Sequence, residues 1–330
     1  MPMAAVPKYL GSDFIHASPG MRFGMYLKLW GLDRDEFLWS KHDIEHGTKR
    51  DETPYQKKIE NSLSALDDAR TLTKNDKLIL NALALRQKKT FECRSSNGFY
   101  FSGTAVAPFT TGLGNEHPLE NGFAFLNPYG LPYLPGSGVK GVLRQAAREL
   151  ASGEWGDKHG WSENKEYGIV VDNQKIKLSM IDVLFGLESN DGDDEHVLAA
   201  LNFWDVIPEI KGGKLAIEIM NPHHGHYYLE KRDSKSGNSI SPHDSGQPVP
   251  IYFLTVPPGS IFNFYITCDQ AHLKHLPLGL IGKDEVWKTR LNAVFDHAFQ
   301  WLGFGAKTAV GYGIMQNEEQ QEQEALRHQE

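Results

Sequence analysis

The segments IENSLSALDDARTL (59–72) and KNDKLILNALALRQ (74–87) carry apolar residues at helical spacing, and they predict two helices within a stretch, 31–89, rich in Lys, Asp and Glu. This part of the chain reads as a helical attachment. From Thr90 the pattern changes to aromatic and β-branched alternation, FECRSSNGFYFSGTAVAPF (91–109), which predicts one or two strands and the start of the main fold. The Gly- and Pro-dense stretches TGLGNEHPLENGF (111–123) and LPYLPGSG (131–138) read as loops. They lead into good helix formers, VKGVLRQAARELA (139–151), that stop at Gly153.

A short helix is expected around MIDVLFGL (180–187), then strands in VLAALNFWDVIP (197–208) and KLAIEIM (214–220) joined as a hairpin around Lys211, Gly212 and Gly213. Two more strands, VPIYFLTV (249–256) and SIFNFYIT (260–267), follow a long loop over 221–250. Helical spacing then returns in DEVWKTRLNAVFDHAFQWLG (284–303), with Val286, Leu291, Val294, Phe295, Ala298 and Leu302 on one stripe, before a short strand in VGYGIM (310–315).

Stripped of insertions, the order from residue 90 is strand, helix, strand, strand, helix, strand. That is an α+β, ferredoxin-like or RNA-recognition-motif-like pattern. The expected division is an N-terminal segment and helical attachment over 1–89, the main domain over 90–315, and a polar tail over 316–330, disordered or a frayed helix.

With 42 acidic against 34 basic residues the formal charge is -8, which excludes a wholesale basic surface, so any nucleic-acid site must be concentrated. Cys93 and Cys268 lack CxxC spacing and indicate neither a disulfide framework nor a cysteine zinc site. The N-terminus does not have the order of a signal peptide, and no run of about 18 apolar residues occurs. A cytoplasmic protein with no membrane partner is the expectation.

The glycine-rich stretch GFGAKTAVGYG (303–313) is the first candidate for chemistry. It is not a Walker A loop, because Trp301 and Ala306 stand where that motif needs glycines, nor a dinucleotide fingerprint, because Thr308 stands in place of the third glycine and the stretch follows a helix rather than opening one. What remains is Gly303, Gly305, Gly311 and Gly313 around Lys307 and Thr308, a spacing that lets backbone amides approach an anion such as a sugar-phosphate backbone. The alternative is a helix C-cap at Gly303, glycines that serve packing, and a solvated lysine.

In LPGSGVKGVLRQAAREL the cations Lys140, Arg144 and Arg148 fall at i, i+4 and i+8, opposite an apolar stripe of Val139, Val142, Leu143, Ala146 and Leu150. Gly136, Ser137 and Gly138 precede the expected first turn, where free amides and the helix dipole favour an anion. A plain solvated helix face is the alternative. In the long loop, His223, His224 and His226 with Tyr227 and Tyr228 form an imidazole and aromatic surface suited to stacking on bases or docking a partner. His243 and Asp244 lie further on, but no zinc-binding or deaminase motif is present, and neither a metal nor a cofactor is expected. The acidic run Asp191, Asp193, Asp194 and Glu195 reads as a solvated turn.

These pieces, in this order over about 91–315, resemble the RAMP (repeat-associated mysterious protein) superfamily of CRISPR systems, and within it the subunits of the type III-B, or Cmr, effector complex. Gly303, Gly305, Lys307, Thr308 and Gly311 match the family's glycine-rich loop, and Ser137, Gly138 and Lys140 its upstream motif. The resemblance implies a ferredoxin-like palm at one end of a helical protein filament, gripping the 3′ part of the CRISPR RNA while base pairing reads the target RNA. It also implies as neighbours the repeating backbone RAMP subunit, the small helical subunit and the RAMP subunit that closes that end. Target cleavage in the family belongs to the backbone subunit, so this chain is expected to be noncatalytic. The competing readings are a metal-independent endoribonuclease that processes precursor CRISPR RNA, with His224 or His226 as acid/base and Lys307 stabilising the developing charge, and a filament cap without RNA contact.

Overall fold

The computed structural model describes residues 3–33, 36–39, 42–48, 54–162, 166–171, 174–187, 196–221, 250–269 and 286–327. The chain divides into two compact units, one made of Met1–Thr73, Gly112–Gly130 and Lys214–Thr255, the other of Lys74–Thr111, Leu131–Gly213 and Val256–Glu330.

The second unit is built on a four-stranded antiparallel sheet. The strands of this sheet and two of the unit's helices are, in chain order, β1 (Gly98–Ala105), α1 (Gly136–Ser152), β2 (Leu201–Phe203), β3 (Ile261–Cys268), α2 (Val286–His297) and β4 (Met315–Gln316). Across the sheet the order is β2-β3-β1-β4. Register sets Thr104 opposite Ile261 and Gly98 opposite Thr267, while Met315 pairs with Ala105 and Phe203 with Ile266. Alternation along β1 sends Phe99 and Phe101 to one face, where both stack on Phe295 of α2. Gly103, next on that face, makes room for Phe299, whose ring would lie 2.4 Å from any added Cβ. Phe264 of β3 closes the same cluster against Phe295, Phe299 and Phe304. On the other face Phe91, from the helix Lys74–Glu92, packs on Trp204 and Tyr265.

α1 begins at Gly136 and ends as expected at Gly153, whose φ of 79° is the left-handed C-cap that glycine adopts without strain. The short helix Met180–Phe185 is set by a capping box, in which the Ser179 hydroxyl accepts from the Asp182 amide and the Asp182 carboxylate accepts from the Ser179 amide. Of the two expectations for the tail, disorder or a frayed helix, it takes the helical one, over Glu318–Arg327. Asn317 and Gln320 start it with reciprocal side-chain to backbone bonds of 2.8 and 3.1 Å, a polar signal that low apolar content conceals.

In the first unit the helices Pro19–Phe23 and Asn61–Arg70 meet through buried Arg22, whose guanidinium donates to the carbonyls of Ala17, Asp68 and Thr71 and so satisfies the C-terminal end of the second helix. Phe23 stacks on His117 at 3.8 Å, and burial pushes the imidazole below its usual pKa, against a bond to the Phe23 carbonyl.

Two expectations are corrected. Residues 61–70 and 74–92 are helical, but part of the supposed helical attachment is β structure: Trp30–Asp33 pairs with Glu36–Trp39, and His42–Thr48 with Pro54–Glu60. The register sets Trp30 against Trp39 and Leu32 against Phe37, a period-two pattern hidden among charges. There is also no hairpin between Leu201–Phe203 and Ala216–Met220. The turn at Lys211–Gly213 forms, with Gly212 at φ 71°, but the first strand pairs with β3 and the second with Ile251–Thr255.

Candidate nucleic-acid interface

The first turn of α1 differs from an open amide nest. Gly136 lies inside the helix, its amide already donates to the Asp205 carboxylate at 2.8 Å, and an added Cβ would sit 2.3 Å from the Phe203 carbonyl oxygen. Glycine is needed there for close packing. Ser137 and Gly138 are exposed but belong to the first turn, and the Gly138 amide donates back to the Pro135 carbonyl at 2.9 Å.

The cationic row is interrupted. Lys140 is half-exposed and Arg148 exposed, whereas Arg144 is 6% exposed and lies 3.7 Å from the Asp182 carboxylate. The cause is the width of the buried arc: Ala147 and Ala151, which share a face with Arg144 at i+3 and i+7, are buried beside the expected Val139, Leu143, Ala146 and Leu150 line. Arg144 therefore ties α1 to the helix Met180–Phe185 and is not presented to a ligand. The face left in solvent runs through Ser137, Gly138, Gly141, Gln145, Arg148 and Ser152.

The glycine loop is a folded turn. Gly303, Gly305, Gly311 and Gly313 have φ of 70°, 91°, 92° and 70°, and Lys307 itself is left-handed at 60°. Gly303 caps the π turn Ala298–Leu302 that ends α2. Two glycines are fixed by packing: an added Cβ would lie 2.2 Å from the Thr110 carbonyl oxygen at Gly305 and 1.8 Å from the Phe304 carbonyl oxygen at Gly313. At Gly311 nothing lies within 4 Å, so only its conformation calls for glycine. The Gly313 amide donates to Pro108 and the Ala306 amide to Thr110, which pins the loop to the chain just beyond β1, and the Tyr312 and Val310 amides close on the Lys307 carbonyl. Gly305 remains exposed and Lys307 and Thr308 half-exposed.

What draws α1 and the loop together is the far end of the helix. Glu149 Oε2 accepts from His297 Nε2 at 2.7 Å, and Trp155, just past α1, touches Trp301 of the π turn with ring centroids 5.3 Å apart. Arg148, adjacent to Glu149, is thus the helix cation nearest in chain to this junction, while Ser137, Gly138 and Lys140 sit at the opposite end, beside Phe203 and Asp205. Sequence pattern gives no sign of this exposed pair, because a large apolar side chain by itself argues for burial.

His223, His224, His226, Tyr227, Tyr228, His243 and Asp244 lie outside the described residues, as does the acidic run Asp191, Asp193, Asp194 and Glu195. Among the described residues no group of three or more potential ligands could hold a metal ion. No described helix is long and apolar enough to cross a membrane. Cys268 is buried, which pushes its thiol up to about 11, and Cys93 is exposed.

Comparison with known proteins identifies relatives of this chain. Over 241 residues the chain is 29% identical to "CRISPR system Cmr subunit Cmr6" of Pyrococcus furiosus, covering 61% of this chain and 63% of that one, under two thirds of the relative's length. A cryo-EM structure of the type III-B Cmr-beta complex bound to cognate target RNA contains a chain that is 16% identical, with TM-score 0.44, covering 77% of this chain and 69% of that one. The crystal structure of Cmr6 from Pyrococcus furiosus is 25% identical with TM-score 0.33, covering 67% and 97%. Both scores fall below 0.5, so neither likeness adds to the sequence match. The model of the RAMP superfamily matches residues 103–316, more than half of the chain and both candidate segments, and the chain therefore belongs to the RAMP superfamily.

Proposed function

We propose that this chain is a noncatalytic RNA-binding and assembly subunit of a type III-B CRISPR effector complex, the counterpart of the sixth Cmr subunit. It holds the 3′ part of the CRISPR RNA by its backbone at one end of the filament and, through that guide, meets target RNA. Its protein neighbours are the repeating backbone RAMP subunit, the small helical subunit and the RAMP subunit that closes the end. The β2-β3-β1-β4 order with α1 and α2 between the strands is read as a ferredoxin-like palm.

The observation that carries this reading is the preset glycine loop. Backbone bonds and close glycine packing fix Lys307 in one conformation while Gly305 stays at the surface. A ligand that is itself a repeating chain of anions gains from such a surface without any reorganisation of the protein. The contact set is then Ser137, Gly138, Lys140, Arg148, Gly305, Lys307, Thr308 and Gly311, with Gly303 as the cap and Arg144 as an internal tie. With a net charge of -8 the attraction rests on local cations rather than on the surface as a whole.

The test is ultraviolet crosslinking of guide RNA in the assembled complex, followed by mapping of the crosslinked peptides. Crosslinks within 303–313 and 137–148, lost when Lys307 and Lys140 are changed to Ala, are expected. A fully assembled complex whose guide never crosslinks to this subunit would assign it the role of a cap without RNA contact.

A further inference from the structure

Among the described residues two tryptophans, Trp155 and Trp301, are largely solvent-exposed, at 47% and 57%, and they touch each other. Their planes meet at 55°, so the rings form a tilted wedge rather than a parallel stack, and with centroids 5.3 Å apart a base would lie on an outer face and not between them. Burial of large apolar side chains drives folding, yet here the fold leaves about half of each of two adjacent indole rings in water. Single exposed apolar residues are ordinary; a contiguous aromatic pair is not.

Both rings are held in place. Trp155 stands edge-on to the His297 ring at 5.0 Å and 87°, and His297, 7% exposed, is fixed in turn by Glu149 at 2.7 Å. Trp301 projects from the π turn Ala298–Leu302, a local widening of the helix of the kind that recurs at functional sites. Within that turn Phe299 is anchored among Phe101, Phe264, Phe295 and Phe304, so the backbone under Trp301 has little freedom. A rigid aromatic surface binds a flat partner with little further loss of entropy.

The wedge borders the glycine loop. Gly303 caps the π turn two residues beyond Trp301, and the Thr308 methyl lies 3.3 Å from where a Gly303 Cβ would be. Exposed Arg148 and Lys158 lie seven residues before and three after Trp155 in the chain, and the Lys158 stem reaches back over Gly153 at the end of α1. The acidic groups on that turn are Glu154 and Asp157, and the second lies 3.8 Å from the His159 imidazole. Flat apolar faces beside cations and a preset backbone loop fit an unpaired nucleotide better than a peptide, which would use the rings without needing the loop.

We propose that Trp155 and Trp301 form an aromatic wedge on whose outer face stacks an unpaired nucleobase of the RNA strand whose phosphates lie on the glycine loop. This rests on the RNA-binding reading above and extends it from backbone grip to base contact. Stacking on aromatic rings tolerates any base, so the wedge supplies affinity and position along the strand without sequence preference.

The test uses the isolated full-length chain with two probes of equal length, a single-stranded oligoadenylate and an abasic ribose-phosphate oligomer. Oligoadenylate is expected to quench the tryptophan fluorescence and to lose about tenfold in affinity with Trp301→Ala. Trp155→Ala should lose less, and Trp301→Phe should keep most of the parent affinity. Abasic oligomer binding should not change in any of the three variants. The wedge is overturned if the alanine variants bind oligoadenylate as the parent does, or if they weaken both probes equally. It is also overturned if they impair only complex assembly, which would give the rings to a protein neighbour. If Lys307→Ala weakens both probes while the tryptophan variants weaken neither, the backbone grip stands and only the stacking falls. A parent chain that binds neither probe would remove both.

Discussion

The two stretches that combine glycine with a cation, the start of α1 and the glycine loop after α2, look alike in sequence and come to different ends in the fold. Along α1, Gly136 is needed for contact with Phe203, its amide is taken by Asp205, and the central cation, Arg144, is drawn inward to Asp182. In the loop Gly305 and Gly313 are equally needed for packing, yet the loop carries Lys307 and Gly305 to the surface instead of burying them. The lesson is that a glycine-and-cation signature reports a tight backbone, and only the packing around it decides whether the charge faces a ligand or a carboxylate.

This contrast is sharpest where one substitution removes it. Arg144→Ala should cost about 3 kcal/mol in denaturant unfolding, since it opens a largely buried ion pair, although Asp182 keeps its bonds to Ser179. The folded variant should bind RNA with the parent's salt dependence. A loss below about 0.5 kcal/mol would put Arg144 back in the solvent-facing row. Gly313→Ala should come next, at about 2–3 kcal/mol, because its Cβ meets a backbone oxygen and its φ is positive.

Gly311→Ala separates conformation from packing within the same loop. With open space around it and only a φ of 92° to oppose a side chain, it should lose about 1 kcal/mol. A melting curve as damaged as that of Gly313→Ala would contradict the distinction. Arg148→Ala, on the exposed face of α1, should stay within about 0.5 kcal/mol of the parent in stability while weakening RNA binding.

Much of the second unit could be read from the residues. The Phe99 and Phe101 alternation marks β1, Gly153 marks the end of α1, and the stripe through Leu291, Val294 and Phe295 marks α2. Strand partners were less legible: Gly212 announces a turn, but whether Ala216–Met220 pairs backward or forward depends on contacts with residues 251–255 that no local pattern encodes. The inward Arg144 was hidden because the pattern Leu143, Ala146, Ala147, Leu150, Ala151 supports a narrow or a wide buried arc, and alanine fits either. Trp155 and Trp301 were hidden for the opposite reason, since their chemistry argues for burial and only the fold shows them outside.

The measurement that bears most directly on the central claim is the salt dependence of single-stranded RNA binding by the parent chain and by the double variant Lys140→Ala/Lys307→Ala. Each phosphate neutralised on a single strand contributes about -0.7 to the slope of log affinity against log salt, so the double variant should lose about 1.4 in magnitude, with thermal stability unchanged. An unaltered slope in a folded double variant would mean that these cations do not meet the RNA backbone.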